Sequence, residues 1–547
     1  MDGNLKLNGN EKVLVCGERE KTEAWREVPL RQAQIELRNI LQNLAYFEPR
    51  FQIQDNKLHI WMGKRWKTTK LEVQKADAIL KPARKRKVVD FPLMPAKLNE
   101  VEAWANIETQ SRGYACAENR ALAQVWDSTI LLNSNLGERR KVGDIRVTES
   151  DGLDEKVLSR YRPFESGDWY DIRKTELMTQ RLLNDGLYQS AYFLKDCQKD
   201  QVDLTLQTTI GRPRILRFEI GGSTEEFPFA ALTFRNTRLD DLASNFTATL
   251  RVSPRESRLE LLSELYAFQD WPRIFFGPRF RIAHQIERAY EINSVTAGLD
   301  LGSRWDSSEQ RWLARWGPTL NSSRTVRGLG PSDISYPSFE GILQVMTHDY
   351  EYFRREQSAG WLRQLFYRGQ NRGLGSQVDV NRLRLTGKSL WNLGLYSPPL
   401  WVLGVRFEAS RVDVDRETRL FNRNRLPVEE RLWFGGDDNL RGFPRQSLDN
   451  QGRGYLSALY AGFELRLVEE LPWRLQPFLL WDWARLGDEP SQFDPPQFVS
   501  EGFGLRWASP FGTLRGSVAK GRIWNGTEST REDPEEVVIF LSFGQEF

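Results

Sequence analysis

Lysine all but disappears from the longer, C-terminal part of this 547-residue chain. Residues 1 to 216 hold 17 Lys, whereas residues 217 to 547 hold two, Lys388 and Lys520, among dozens of Arg. Arg stays charged when desolvated and forks onto carboxylates, which suits a crowded polar interior. A boundary therefore falls near residue 216. Long apolar runs are missing too: no uncharged stretch reaches the roughly 18 residues that a spanning helix needs. A helical membrane protein is excluded, but a transmembrane barrel is not, because its strands alternate lipid-facing and lumen-facing residues. The mean hydropathy of -0.55 fits such averaging.

Cysteine and histidine are equally sparse. Cys16, Cys116 and Cys197 lie far apart and match no CxxC spacing, so neither a metal site nor a disulfide framework follows, and all three read as structural. His59, His284 and His348 are scattered, which excludes a His-based metal site or triad. Gly387-Lys388-Ser389 has the end of a phosphate loop, but the glycine required five residues earlier is Arg382, and no GxSxG elbow occurs. The chain is expected to be no enzyme, with no cofactor and no metal. A net charge of only +3 points to no nucleic acid. The start, Met1-Asp2-Gly3-Asn4, has no basic and apolar leader. For an outer-membrane barrel, a signal peptide is then expected to have been removed or to lie outside this sequence.

Before the boundary three α/β units are expected, over residues 1-68, 69-141 and 142-213. The first reads as a strand near residues 12 to 16, a helix with Leu37, Ile40, Leu41 and Leu44 on one face, and a hairpin turning at Asp55-Asn56. The second has a strand over 70 to 74, a basic segment over 81 to 87 read as a solvated loop, a helix around Leu98, Val101 and Trp104, and a strand over 125 to 132. The third runs β-α-α-β-β. Asp171 is a candidate N-cap for its second helix, which buries Leu177, Met178, Leu182 and Leu183 and stops at Gly186.

From residue 214 to 547 strand follows strand. Trp401, Leu403, Val405, Phe407 and Ala409 alternate with Val402, Gly404, Arg406 and Glu408, an apolar face backed by one carrying both signs of charge. A soluble sandwich would turn its apolar face inward and would rarely need Arg on so many strands. Further on, Glu464 alternates with Phe463 and Leu465, and Asp482 with Trp481 and Trp483, so both carboxylates are expected to face a lumen.

Residues 434 to 443 read FGGDDNLRGF, a glycine-rich loop whose one cation, Arg441, stands between Leu440 and Gly442. This motif, with Gly435, Gly436 and Phe443, resembles the conserved R-G-F/Y loop of the POTRA and β-barrel outer-membrane assembly superfamily, whose best-known members are BamA and TamA. The resemblance implies α+β POTRA modules (β-α-α-β-β) followed by an all-β transmembrane barrel of 16 antiparallel strands. It also implies that the loop folds into the lumen and that Arg441 pairs with Glu464 and Asp482. The third unit is similar to the POTRA module next to the barrel, and three modules match the TamA branch. The end of the chain, with Val537, Ile539, Leu541, Phe543 and Phe547 on one face, resembles the terminal β-signal of outer-membrane barrels.

The first strand carries Gly221-Gly222 and the last carries Gly544, positions where packing across the closing seam is expected to be missing. They mark a candidate lateral gate. By resemblance the protein assists insertion or secretion of unfolded β-barrel clients such as autotransporters. It sits in outer-membrane lipid with residues 1-213 in the periplasm, and it works with a TamB-like inner-membrane-anchored partner. A two-partner-secretion pore exporting a dedicated soluble substrate is the alternative.

Overall fold

The computed structural model describes residues 5-17, 28-55, 57-74, 85, 87-148, 153, 155-354, 356-394, 399-415, 418, 423-468, 470-509, 512-524, 531-532 and 537-543. Most of the basic segment over 81 to 87 lies outside these, as do Asn56, Gly544 and Phe547.

The first unit comprises α1 (Gly9–Cys16), α2 (Leu30–Asn43) and the hairpin β1 (Arg50–Gln54) and β2 (Lys57–Trp61). The strand expected near residues 12 to 16 is a helix, so the order is α-α-β-β rather than β-α-β-β. Its cause is local. The Asn8 side chain accepts from the Glu11 amide (2.9 Å) and the Glu11 carboxylate accepts from the Asn8 amide (2.7 Å), a reciprocal cap that outweighs the β-branched residues behind it. α2 buries Ala33, Leu37, Ile40 and Leu41.

In the second unit β3 (Lys70–Gln74) runs parallel to β5 (Thr129–Asn135), and β4 (Glu118–Gln124) pairs antiparallel on its other edge. Helix α3 (Pro95–Gln110) buries Val101, Trp104 and Ala105 against this sheet. The single strand expected over 125 to 132 is therefore corrected. Residues 125 to 128 are a turn, with Ser128 at φ 52°, and the strand begins after it.

The third unit has β6 (Val142–Val147), α4 (Glu155–Leu158), α5 (Ile172–Asn184), β7 (Tyr188–Asp196) and β8 (Val202–Ile210), in sheet order β6-β8-β7. The Asp171 side chain caps α5 by accepting from the Arg173 amide (2.9 Å), and Gly186 leaves the helix at φ 72°. Leu177, Met178 and Leu182 are buried as the periodicity requires. Leu183 is not: it is 38% exposed, since one residue on from Leu182 is about 100° around the helix.

Cys116 and Cys197 form a disulfide, a pairing that did not follow from the spacing of the cysteines. Their sequence separation of 81 residues spans two units, so no spacing rule could pair them. The bond staples the loop ahead of β4 to the end of β7, and Lys195 reinforces it by donating to Gln110 Oε1 (3.0 Å) and the Ala115 carbonyl (2.9 Å). Cys16 is exposed and free.

Beyond residue 213 the chain closes into a barrel of 16 antiparallel strands, counting Arg531–Glu532 and Val537–Phe543 as parts of one final strand. Leu479, Phe503, Ile539 and Leu541 stand exposed on the outside, while Arg and acidic residues fill the inside. Closure removes the free edges that an open sheet would offer to another chain. Neighbouring strands align over long runs, as Val380–Leu393 does with Trp401–Val414. The seam between Arg214–Ser223 and Val537–Phe543 is different. Among the described residues only Ser542 with Ser223 and Phe543 with Gly222 are aligned across it.

Helix α5 docks on the barrel rim through Arg181, whose side chain is 3% exposed and donates to Glu351 (2.6 Å) and Asp306 (2.9 Å). Arg311 holds Glu351 from the other side at 2.6 Å, and His348 holds Asp306 at 3.0 Å. Burial acts to raise the Glu351 carboxyl, but Arg311 and Arg181 outweigh it and hold the group below its ordinary value. A depressed carboxyl adds stability that is complete above the unfolded value, about pH 4.3 for Glu, and is lost as pH falls through the lower folded value. Spin labels on α5 and on the rim should therefore keep one distance from neutral pH down to about 4.3 and separate below it. Arg181→Ala, which takes one of two partners from each acid, should separate them at neutral pH, at a cost of up to about 3 kcal/mol.

Candidate lumenal loop and barrel seam

The loop of interest joins Trp401–Val414 to Ser457–Leu467 and folds back inside the barrel. Gly435 and Gly436 take φ of 102° and 114°, a region closed to most side chains, and this bends the chain toward the wall. Gly442 lies against the backbone of Gly521, so tightly that a Cβ on either would strike the other strand. That contact brings Arg441 within reach of the lumenal face.

Arg441 is 0% exposed. Its Nε and Nη2 donate to the two oxygens of Asp482 at 2.8 and 2.7 Å, a bidentate fork, and Nη1 donates to Glu464 at 2.8 Å. Its backbone amide also reaches Asp482 (3.1 Å), and Nη2 reaches the Phe463 carbonyl (3.2 Å). Tyr460 donates to Asp482 at 3.2 Å, and Arg515 donates to Glu464 at 2.9 Å. Leu440 and Phe443, on either side, pack into a cluster with Phe434, Leu456, Ala484 and Phe498, where the Phe443 and Phe498 rings meet edge to face at 5.9 Å. One short motif thus supplies a cation for the polar wall and two apolar side chains for a small core.

Sequence reasoning did not single out the other attachments of this loop. Glu430, buried completely, accepts from Arg368 and Gln370 (both 2.8 Å) on the strand Gly360–Gln370. Arg445 donates to Glu287 (2.7 Å), and Arg423 pairs with Asp488. Asp437 faces Arg515 at 3.3 Å, and its amide donates to Glu225 at 3.2 Å. Burial, with Asp437 and Asp438 alongside, raises the Glu225 carboxyl to about 7 in spite of Arg445. The partners are about 60 residues or more from Glu430, and no motif marks them; the lumenal phase of Arg368 on its strand was the available signal. Together these bonds tie the loop to strands around most of the lumen.

At the seam, Gly222 aligns with Phe543, which also aligns with Leu514 of the preceding strand. The space beside the two glycines is not vacant: a Cβ on Gly221 would lie 2.6 Å from the Phe229 ring, and one on Gly222 would strike the Phe227 ring. The nearest partners are rings of the first hairpin, and the Phe543 carbonyl across the seam also lies 3.1 Å from a Cβ on Gly221. Gly544 and Phe547 fall outside the described residues.

A closed barrel with an inward-folded, arginine-clamped loop and α/β modules docked on one rim defines an outer-membrane barrel with a periplasmic arm. Residues 210 to 547 match the Omp85 superfamily domain. The chain belongs to the Omp85 superfamily, and its place is the bacterial outer membrane with the modules in the periplasm. Among solved structures it is similar to BamA from Haemophilus ducreyi lacking POTRA domains 1-3, at 16% identity and a TM-score of 0.51, covering 88% of this chain and 100% of that one. It is also similar to CdiB from Acinetobacter baumannii, at 14% identity and a TM-score of 0.47 over 94% of this chain and 97% of that one. CdiB from Escherichia coli matches at 14% identity and 0.47, over 93% and 95%. Comparison with curated protein sequences found no match.

Removing the Arg441 guanidinium leaves Asp482 and Glu464 short of a buried partner, so Arg441→Ala should cost about 3 to 5 kcal/mol. On a semi-native gel the folded form should convert at a lower temperature than wild type. Arg441→Lys keeps the charge but loses the fork and should fall between the two. Identical conversion temperatures for all three would show that the clamp does not hold the loop.

Proposed function

We propose that this protein assists insertion or secretion of other β-barrel proteins, autotransporters among them, and that it does so by parting its wall between the first and last strands. The observation that carries the reading is the seam. It aligns two residue pairs among the described residues, where other strand neighbours align many. A template for new strands needs one junction that yields before the rest, because a barrel closed equally all round exposes no edge for pairing. An apolar hollow of about 1080 Å³ lies alongside, lined by Phe227, Leu505, Trp507, Leu514, Leu541 and Phe543. The last strand, Val537–Phe543, serves as the protein's own β-signal. Three periplasmic modules, over 1-68, 69-141 and 142-213, fit delivery of clients in concert with a TamB-like partner anchored in the inner membrane.

The alternative, a two-partner-secretion pore, passes its substrate along the lumen. For that route the loop has to leave, breaking the bonds of Arg441, Glu430 and Arg445 at once. Opening at the seam leaves the Arg441 and Glu430 bonds in place, which favours the assembly reading. The aligned pair Ser223→Cys with Ser542→Cys, made in a Cys16→Ser background, should form a disulfide and block assembly of an autotransporter barrel in vesicles, and a reductant should restore it. Full assembly with the seam locked would overturn the gate, and export of a soluble substrate through the locked barrel would establish the pore.

A further inference from the structure

Resting on the seam reading above, we propose that Asp437 of the lumenal loop is a staple across that seam, held on one side by Glu225 and on the other by Arg515, with Glu225 as its positioning residue. Glu225 belongs to the turn after the first strand, and Arg515 belongs to Gly512–Trp524, the strand on which the last strand lies. The Asp437 amide donates to Glu225 Oε1 at 3.2 Å, while both Asp437 carboxylate oxygens lie 3.3 Å from Arg515 Nη1. A single loop residue is thereby bonded to both sides of the closure.

The neighbouring contacts let a change at one end reach the other. Thr224, next to Glu225, does at the seam what a further strand residue would do. Its amide donates to the Leu541 carbonyl (2.9 Å), and its Oγ1 accepts from the Leu541 amide and donates to the Ile539 carbonyl, each at 3.2 Å. Adjacent residues of one turn therefore hold the last strand with one side chain and the loop with the next. The turn itself is anchored, because Arg255 donates to the Glu225 carbonyl and Arg251 pairs with Glu226 at 2.8 Å. Gly436 sits so near Glu225 that a Cβ there would lie 2.6 Å from Oε1, so the loop backbone closes directly onto the carboxylate. Arg445, 3.8 Å from Glu225 and 2.7 Å from Glu287, holds the loop beside it.

The test uses the full chain in detergent with Ser223→Cys, Ser542→Cys and Cys16→Ser, and reads two quantities without any client. The rate of seam disulfide formation reports closure, and trypsin cleavage after Arg441 and Arg445 reports whether the loop is seated. Glu225→Ala should slow disulfide formation at least fivefold while the Arg441 bonds keep Arg441 protected. Glu225→Gln, which still offers Oε1 to the Asp437 amide, should restore the wild-type rate. Thr224→Val, which loses the side-chain bonds to the last strand, should slow it as well. A wild-type rate in Glu225→Ala would overturn the staple, as would an equal loss in Glu225→Gln. Neither outcome depends on client assembly, so failure of the staple and failure of the gate are separately visible.

Discussion

A guanidinium removed from water between two carboxylates sets the terms for the rest of the barrel. Arg441, Asp482 and Glu464 are each at most 1% exposed, so none can recover its hydration while the loop is seated. The fork onto Asp482 offsets that loss only in one orientation, because both N–H bonds must point at both oxygens. The loop backbone is accordingly fixed, by positive φ at Gly435 and Gly436 and by the close approach of Gly442 to Gly521. Lysine, a point charge, would impose no such orientation. The near absence of Lys after residue 216 is the compositional trace of a lumen in which many ion pairs have to be desolvated and oriented at once.

How much of this was legible in the sequence depended on whether the cause was local. Helix α5 was readable because Asp171, its apolar face and Gly186 all lie within one short stretch. The lumenal phase of Glu464 and Asp482 followed from simple alternation, and the barrel itself followed from that alternation repeated with Arg on the polar face. Helix α1 was misread because a two-residue cap decided it against β-branched Val13 and Val15. The disulfide, the Glu430 anchor and the Arg181 dock escaped for another reason. Each joins residues distant in the chain and belonging to different elements, and a single sequence carries no signal of which distant residues meet.

The periplasmic arm and the barrel are joined by the same chemistry used inside the lumen. Arg181, Glu351, Arg311, Asp306 and His348 form a polar chain in which each acid has two partners. Arg160 adds a cation stacked 3.5 Å over the Tyr266 ring and a bond to the Leu242 carbonyl. Because the disulfide ties the second unit to the third, the docked unit carries its neighbour with it. The contact of Lys87 with Glu470 at 3.3 Å, on a barrel turn, is consistent with that placement.

Stability and opening make opposite demands on a barrel, and on the proposed gate this chain meets them in different places. Hydrogen bonds between long strands, such as those flanking residues 390 and 403, resist separation because they must break as a set. A seam aligned over two pairs among the described residues resists far less there, so closure from elsewhere helps the resting wall to stay shut. On the proposed staple, the lumenal loop supplies that closure through Asp437 without lengthening the seam. Its deep anchors, Arg441 and Glu430, are bonded to strands well away from the closure and can stay in place while the wall parts. Its contact with the first hairpin is of another kind: one amide hydrogen bond to Glu225, plus an Arg445 approach of 3.8 Å. A neutral donor on a carboxylate is weaker than a bidentate ion pair. The loop's bonds to the first hairpin, which must break for the seam to open, are thus weaker than the Arg441 fork, and breaking them leaves the Arg441 and Glu430 anchors in place.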